Sequence, residues 1–519
     1  MKGEFRGDFS RDTFDPSKHF LRVLMQQGRV SLDADWNEQT DILLHYMQTL
    51  ARDLIGPYAG PEDEVERGFG IAPTETSPRS FSIGRGRYYV DGILCENGTG
   101  DSICKTPEGE IGYYTQPDFP RDVGISEFQT GDLPLLVYLD VWERHISYIE
   151  DDYIREKALG MADTASRSRV VWQVKALKSG GSADNEWIRY AGDSADGEAR
   201  CNAIRQNWID IVKNLLQNPN RGCLKARAKQ ADEVPTDPCI TPPESSYRGE
   251  ENQLYRVEIH RGGSALNEEG SNKSEAATFK WSRDNGTVAF PIIFKSGNTI
   301  VLEHLGRDNR MSLKKGDWVE VVDDDYTLLI QSRPSPLAET RPLAQVDNVD
   351  MTEMMVTLRL QDSSRLPDYP KDSPKHPLLR RWDHKKGDLI RQDEPKLAGD
   401  GALIVEEGSW ITVEEGIQIW FEKSSNLVDR SEQVNHNYQT GDYWLVPART
   451  ATGDVEWPRD AQGAALILPP HGIDHHYAPL AIIGREGAGS EGWIRTDCRC
   501  VIRKTLHPPC GEAIVRREQ

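Results

Sequence analysis

Residues 135–142 read LLVYLDVW, a run of β-branched, aromatic and other apolar side chains interrupted by one charge. Such residues are enriched in β-strands because they pack well on a pleated surface. Comparable runs occur on both sides of this stretch, at residues 81–83, 87–90, 93–94, 170–174, 254–259, 279–282, 288–290, 318–322, 355–358, 417–421 and 478–483. The sequence therefore predicts a mainly β protein with several β-sandwich or barrel-like modules.

The strongest hairpin signal is Asp284-Asn285-Gly286, between the strand-like residues 279–282 and 288–290. Asn and Gly accept the positive φ angles that two-residue hairpin turns require. The pattern predicts that these two strands pair with each other.

An N-terminal helix is predicted between Asp33, which with Ser31 is a candidate cap, and the stop signal Gly56-Pro57. Large apolar residues within it follow the alternating three-and-four spacing of a coiled-coil seam, with Thr40 in the remaining position: Trp36, Leu43, Met47, Leu50 and Leu54. About three heptads are too few to hold a coiled coil alone. The helix therefore packs either on its own domain or beside a copy or a neighbour in an assembly.

A second amphipathic helix is predicted from the stripe Ile204, Trp208, Ile211 and Leu215. The chain length of 519 residues suggests about three domains. The composition shifts divide the chain into an N-terminal arm and docking helix (1–60), a β domain (61–180), a helical insertion and linker (181–250), a second β domain (251–345) and a C-terminal β domain (346–519).

The formal net charge of −21 argues against sequence-independent binding of nucleic acid, because a polyanion repels phosphate groups. No apolar run reaches the roughly 18 residues that span a bilayer. The first residues, MKGEFR, also lack the apolar core of a signal peptide. We expect synthesis and assembly in the cytoplasm without membrane insertion, and export only as part of a released or membrane-associated particle.

Eight scattered cysteines without a signal peptide predict reduced thiols. Three clusters invite a metal, and each has a simpler interpretation. Cys498, Cys500, His507 and Cys510 lack the usual zinc spacing. The stretch from His471 to His476 predicts turn histidines that bond backbone groups, and Asp323-Asp324-Asp325 predicts a solvated turn instead of a calcium loop. The sequence nominates no metal and no cofactor.

Motifs of the common enzyme classes are incomplete. No phosphate-binding Walker loop occurs, Gly84-Arg85-Gly86 lacks the third Gly of a dinucleotide fingerprint, and Ala488 breaks the hydrolase elbow around Ser490. A pair of carboxylates for glycoside hydrolysis remains open, but no local motif nominates one. No catalytic residue is predicted.

The opening of the chain, residues 12–16 (DTFDP), 23–30 (VLMQQGRV) and 33–38 (DADWNE), resembles a domain-of-unknown-function family encoded beside contractile phage-tail-like injection systems. Further matching stretches are residues 138–145, 154–160, 447–458 and 475–481. The opening also resembles, more distantly, the N-terminal attachment regions of phage baseplate and tail-fibre proteins. The resemblance brings no catalytic residues.

What the resemblance implies is a structural component of a contractile particle, baseplate- or fibre-associated, that acts through contacts with other subunits and with copies of itself. The residues expected at these contacts are Phe14, Arg29, Trp36, Leu43, Met47 and Leu50. Two alternatives stay open. One is a surface-recognition module that binds glycans, and the other is a glycan-active hydrolase.

Overall fold

The computed structural model describes residues 3–74, 80–98, 111–120, 128–179, 186–192, 194, 196–218, 220–229, 246–265, 276–332, 340–361, 365–385, 395–423, 436–485 and 493–502. Among these residues, no helix has both the length and the apolar character needed to cross a bilayer.

The α-helices of the described residues are α1 Asp33–Ile55, α2 Glu186–Ala191, α3 Gly197–Gln206, α4 Trp208–Ile211 and α5 Asp324–Ser332, and a π-helical turn, Val212–Leu216, continues α4. The bounds predicted for the N-terminal helix are confirmed, and Gly56 ends it with a φ of 95°. The predicted cap is wrong, because Leu32 occupies the N-cap position and Asp33 is the first residue of the helix. The Asp33 carboxylate accepts a hydrogen bond from the backbone of Ser10. The predicted second helix is also present, and Ile204, Trp208 and Ile211 are buried.

The strands of the first half are β1 Tyr58–Ala59, β2 Ile71–Thr74, β3 Ser80–Ile83, β4 Gly86–Val90, β5 Ile93–Asn97, β6 Ile111–Gly112, β7 Leu135–Ile146, β8 Arg155–Glu156, β9 Ala162–Asp163, β10 Arg167–Leu177 and β11 Leu224–Ala228. Those of the second half are β12 Gln253–Arg261, β13 Thr278–Ser282, β14 Ala289–Ser296, β15 Thr299–Leu302, β16 Trp318–Val322, β17 Ala344–Asp350, β18 Met355–Leu360, β19 Leu378–Trp382, β20 Leu403–Ile404, β21 Ile411–Thr412, β22 Ile417–Phe421, β23 Tyr443–Arg449, β24 Asp454–Val455, β25 His476–Arg485 and β26 Trp493–Asp497. The predicted mainly β fold is confirmed.

Three larger assemblies of strands organise the described chain. A four-stranded sheet has the order β10-β7-β25-β26, a five-stranded sheet has the order β20-β13-β12-β23-β24, and a closed barrel has the order β14-β15-β18-β17-β16-β19. Smaller sheets are β1-β4-β5, β2-β3-β6, β11-β22-β21 and β8-β9. The barrel matches the barrel-like module expected from the sequence.

The run LLVYLDVW lies in β7, which pairs with β10 on one side and with β25 on the other. Every residue from Leu135 to Trp142 is buried, which explains why this strand is apolar on both faces. Asp140 is the one charged residue among them, and its carboxylate bonds the Lys175 ammonium at 2.5 Å and His475 at 2.7 Å. The sheet thus joins residues 135–146 to residues 476–485, across the segment boundaries predicted above.

The predicted hairpin at Asp284-Asn285-Gly286 is wrong. Asn285 and Gly286 do adopt the positive φ angles of a tight turn, at 51° and 69°. However, the strands on either side diverge: β13 pairs with β12 and β20, whereas β14 pairs with β15 and β19. The turn therefore leads from the five-stranded sheet into the barrel.

Cys201 of α3 and Cys498, which follows β26, form a disulfide with a Cα–Cα separation of 5.1 Å. The expectation of reduced thiols is therefore wrong for this pair, because the fold brings together two cysteines 297 residues apart. Both lie in the apolar core between the four-stranded sheet and α2–α4. Among the described residues, Cys95, Cys223 and Cys500 are free thiols.

Reductant should lower the thermal midpoint of the wild-type protein and leave that of a Cys201→Ala/Cys498→Ala variant unchanged. A bond of this kind typically stabilises a fold by about 3 kcal/mol, chiefly by restricting the unfolded chain. Differential scanning calorimetry with and without reductant measures the effect. Alkylation of both cysteines in denatured protein that has never met reductant would contradict the pairing.

Candidate functional site

The first residues of the chain are built into the body of the protein. Glu4 forms a parallel backbone bridge with Arg144 of β7. The side-chain amide of Asn285 donates to the carbonyl oxygens of Phe5 at 3.2 Å and Gly7 at 3.0 Å. The Tyr443 hydroxyl donates to the carbonyl oxygen of Gly3. The turn that looked like a hairpin thus serves as a docking point for the N-terminal segment.

Around this segment lies a cluster of buried charges, which we call the ionic junction: Glu4, Arg6, Arg256, Glu258, Lys280, Glu320 and Arg380. Two antiparallel strand pairs present most of it. Glu258 of β12 faces Lys280 of β13 in one ladder, and Glu320 of β16 faces Arg380 of β19 in the other. The junction therefore lies where the five-stranded sheet meets the barrel.

The junction has two halves, and the first is centred on Arg256. In this half, side chains of the N-terminal segment bond those of β12. The Arg256 guanidinium donates to Glu258 at 2.6 Å and to Glu4 at 3.2 Å, and it lies 3.5 Å from the centroid of the Tyr443 ring. Arg6 bonds Glu258 at 2.9 Å and also contacts Glu4. Glu4 in turn accepts from Gln331 of α5 at 3.2 Å. Charged groups of the N-terminal segment and of β12 are thus linked by hydrogen bonds, and α5 joins them through Gln331.

The other half centres on Lys280, whose ammonium bonds Glu320 at 2.6 Å and lies 4.4 Å from the centroid of the Trp382 ring. Glu320 also accepts from the Trp382 indole at 2.9 Å. Burial by itself raises the pKa of Glu320, but the charge and hydrogen bond of Lys280, together with His260, outweigh it and lower the pKa to about 2. Burial also opposes ionisation of Glu258, yet Arg6 and Arg256 keep its pKa well below the usual range. Both carboxylates therefore remain charged inside the protein.

Replacing Glu4 by Gln should lower the free energy of unfolding by about 3 kcal/mol, because removing one member of a buried ion pair leaves its partners uncompensated. The matched control is Glu66→Gln, which breaks a pair with Arg87 whose side chains are 54% and 44% exposed. Surface pairs of this kind contribute at most about 1 kcal/mol. Urea denaturation compares the two, and equal losses would mean that the junction does not hold the N-terminal segment.

Three histidines lie in or near the junction, and the low hydration of their rings lowers the pKa of each to about 4: His260 and His384, which are buried, and His145, which is half-buried. The Nε2–H of His384 donates to the Gly401 carbonyl oxygen at 2.8 Å, so the neutral ring carries its hydrogen on Nε2. Its ring stacks on Trp318. These imidazoles are neutral in the folded protein at neutral pH.

Folding stability should therefore fall as the pH drops from about 6.5 to 4. The unfolded chain binds a proton at an ordinary imidazole near pH 6.5, whereas folded His384 binds one only near pH 4. Across this window His384 alone accounts for about 3 kcal/mol. His384→Gln should flatten this part of the profile of unfolding free energy against pH. His19→Asn, at an exposed histidine of the arm, should leave the slope unchanged.

A second feature is a large exposed apolar surface on the arm and α1, which we call the N-terminal apolar surface. Only Ala34 and Ile42 of α1 are buried. The large apolar side chains that stay at least 41% exposed are Phe20, Leu21, Leu24, Met25, Val30, Leu32, Trp36, Leu43, Leu44, Tyr46, Met47, Leu50 and Leu54. Exposed apolar side chains concentrated in one stretch of chain in this way are typical of an interaction surface.

The arm is held along α1 by polar contacts. Thr13 donates to Glu38 at 2.6 Å, and the backbone of Val23 donates to the side-chain oxygen of Gln39 at 2.9 Å. The ring of Phe14 lies 5.8 Å from that of His45. The arm therefore lies along α1 and contacts it at several positions.

The structure places the predicted contact residues in two settings. Trp36, Leu43, Met47 and Leu50 are 67%, 54%, 65% and 51% exposed and share one side of α1. Arg29 is exposed in the arm, in a turn whose backbone N–H donates to Gln26. Phe14 packs against α1 of its own chain, so it helps to hold the arm in place.

No group of His, Cys, Asp and Glu side chains in the described residues could hold a metal ion. His475 pairs with Asp140 and His476 with Asp91, so the prediction that these histidines bond backbone groups is wrong. His507 and Cys510 lie outside the described residues.

The predicted solvated turn at Asp323-Asp324-Asp325 is also wrong. Asp323 and Asp325 are buried. The three carboxylates pair with Arg341, Arg144 and Lys375 at 3.0, 2.5 and 2.9 Å, and Asp323 also accepts from the backbone of Tyr326 in the first turn of α5. They are therefore structural.

Sequence reasoning missed the ionic junction, although a signal existed. Each junction strand carries a charge within an apolar run, as at Glu320 in WVEVV and Lys280 in TFKWS. Buried strands that retain charges imply partners, because an unpaired buried charge is costly. Which partners they have depends on the tertiary fold.

The profile of DUF6519, described as a family of unknown function, matches residues 5–188 and 183–510. These segments cover nearly the whole chain, so the protein belongs to this family. The sequence matches no curated protein and no solved structure.

Proposed function

We propose that this member of the DUF6519 family is a structural subunit whose N-terminal apolar surface packs against the same surface of a second copy. The observation that carries the proposal is the side of α1 formed by Trp36, Leu43, Met47, Leu50 and Leu54, which stays exposed although it is the most apolar part of the helix. Leaving such a surface in water is unfavourable by roughly 25 cal/mol per Å² of apolar area.

The periodicity of the exposed residues argues for a helical partner. Their spacing of four, three, four, three and four, including Thr40, is that of the core positions in a coiled coil. An identical helix supplies the same spacing, and paired copies of one surface are the commonest way in which subunits associate. The exposed side chains of the arm extend the surface beyond the few heptads of α1.

We further propose that the assembly is a phage-tail-like contractile particle, in which this chain is associated with the baseplate or a fibre. The support is that stretches within residues 12–38 resemble a family encoded beside such particles. These residues form the arm and the start of α1. The ionic junction attaches the N-terminal segment to the sheets, so a partner bound to α1 is held at a fixed position relative to them. In this proposal the chain acts through shape and contact and carries out no reaction.

Glycan recognition is the alternative outcome. Trp410 and Trp420 are half-buried aromatic residues beside each other, but Arg227 lies 3.9 Å from the centroid of the first ring and Lys225 lies 4.6 Å from that of the second. These cations cover ring faces on which a sugar would stack. The pair therefore does not favour the glycan-binding alternative.

The full-length protein should be oligomeric, and Leu43→Lys/Leu50→Lys should convert it to a monomer, because two charges in the seam prevent its burial. Analytical ultracentrifugation over a range of concentrations measures the mass. The matched control is Val65→Lys/Ile209→Lys, the same change at residues that are 86% and 82% exposed outside the surface. It should keep the wild-type mass.

Two results would contradict the proposed self-association. One is a wild-type protein that stays monomeric at every concentration, and the other is a Leu43→Lys/Leu50→Lys variant (the seam variant) that keeps the mass of the oligomer. For the particle, co-sedimentation with tail components should be lost in the seam variant and retained in the control. Deletion of residues 1–30 is a poorer test, because it also removes Glu4 and Arg6 from the buried junction. Glycan binding by the monomer would instead favour the recognition module.

A further inference from the structure

A cavity of about 510 Å³ lies beside the ionic junction, at the meeting point of the N-terminal segment, the five-stranded sheet, the barrel and α5. Its inner wall includes Arg6, His145, His260, Lys280 and Arg380. The exposed Thr164 and Ala165 also line it, so the cavity reaches the surface. Its volume lies within the range of small-molecule sites.

Nitrogen atoms along the inner wall are buried and have no hydrogen-bond partner: Arg6 Nη1, His145 Nε2, Arg380 Nε, and both ring nitrogens of His260. His260 is only 1% exposed. Buried polar groups of proteins are nearly always paired, and leaving one unpaired costs about 1–3 kcal/mol. Four side chains with this deficiency around one cavity indicate a missing acceptor.

The charges of the junction point the same way. The carboxylates of Glu4, Glu258 and Glu320 all bond other residues. Arg380 faces Glu320 in the ladder, yet that carboxylate bonds Lys280 and Trp382 instead. Within the junction, four cations, at Arg6, Arg256, Lys280 and Arg380, therefore share three carboxylates, whereas the rest of the cavity lining carries the carboxylates of Asp8, Asp33, Glu150 and Asp163 and the cation of Arg307. Arg380 forms no ion pair within the described residues, so the deficit of acceptors is local to its side of the cavity.

The geometry points to an anion-binding site, in which Arg380 pairs with the carboxylate or phosphate group of a small molecule and His260, with His145 and Arg6, donates hydrogen bonds to it. A guanidinium matches the planar, two-oxygen edge of such groups. Neutral imidazoles contribute one donor each, and their second nitrogen can accept from a hydroxyl group of the same ligand.

The ionisation of Arg380 fits this assignment. Burial, followed by repulsion from Arg6, lowers the pKa of Arg380 to about 10. The charge is thus poorly compensated by the protein alone. An anionic ligand would supply the missing compensation without requiring any rearrangement of the carboxylates that already bond other cations.

The test is thermal unfolding of the full-length protein in inorganic phosphate and in succinate, against chloride at equal ionic strength. Both anions should raise the midpoint of the wild type in a saturable manner, because a ligand that binds only the folded state stabilises it by mass action. Arg380→Met should lose this shift while its midpoint in chloride stays equal to or above that of the wild type, since Met removes an uncompensated charge. If only phosphate raises the midpoint, the site binds a phosphate group. If only succinate raises it, the site binds a carboxylate group.

The matched control is Arg189→Met, at an exposed arginine of α2, which should keep the full shift. His260→Gln provides a second variant in case Arg380→Met does not fold, because His260 makes no hydrogen bond that would be lost. It should weaken the response several-fold in anion concentration. Equal responses of the wild type and both cavity variants, or no response to either anion, would overturn the proposal and leave a cavity that holds water only.

Discussion

The rest of the structure depends on one constraint, the burial of several charges where the five-stranded sheet meets the barrel. A charge taken out of water is tolerated only when its partners lie within hydrogen-bond distance. Arg256 and Glu258 come from one sheet, Glu320 from the barrel and Glu4 from the N-terminus. Few relative placements of these parts can satisfy all of them, so the junction fixes how the sheet, the barrel and the first residues fit together.

This constraint also determines where the N-terminal apolar surface lies. Residues 3–7 are held in the junction, and the arm then runs along α1 through contacts such as that of Thr13 with Glu38. Only Ala34 and Ile42 of α1 are buried against the body. The helix is therefore positioned by the arm and by a small contact, and most of its apolar side chains are presented outward.

The cavity and the apolar surface share one structural component, the N-terminal segment. Glu4 and Arg6 line the cavity, and Asp33 and Asn37 of α1 border it as well. An anion at Arg380 would lie beside the segment from which the arm begins. The arrangement joins a site that recognises charge to a surface that recognises apolar partners, without requiring either to carry out a reaction.

Local patterns in the sequence were sufficient to predict several of the elements. The strand at residues 135–142, the coiled-coil spacing of α1 and the turn angles of Asn285 and Gly286 follow from side-chain periodicity and backbone sterics, which act over a few residues. The sequence also predicted a contact role for four residues of α1 from their spacing, which is itself a local property, and these side chains are exposed in the structure. Which partner each element pairs with or packs against was decided by the tertiary structure alone. The turn at Asn285 separates two sheets, Cys201 forms a disulfide with Cys498, and the three aspartates at residues 323–325 pair with Arg341, Arg144 and Lys375. Pairings of this kind join residues tens to hundreds of positions apart, and they depend on which burial of charge and apolar area has the lowest free energy for the whole chain.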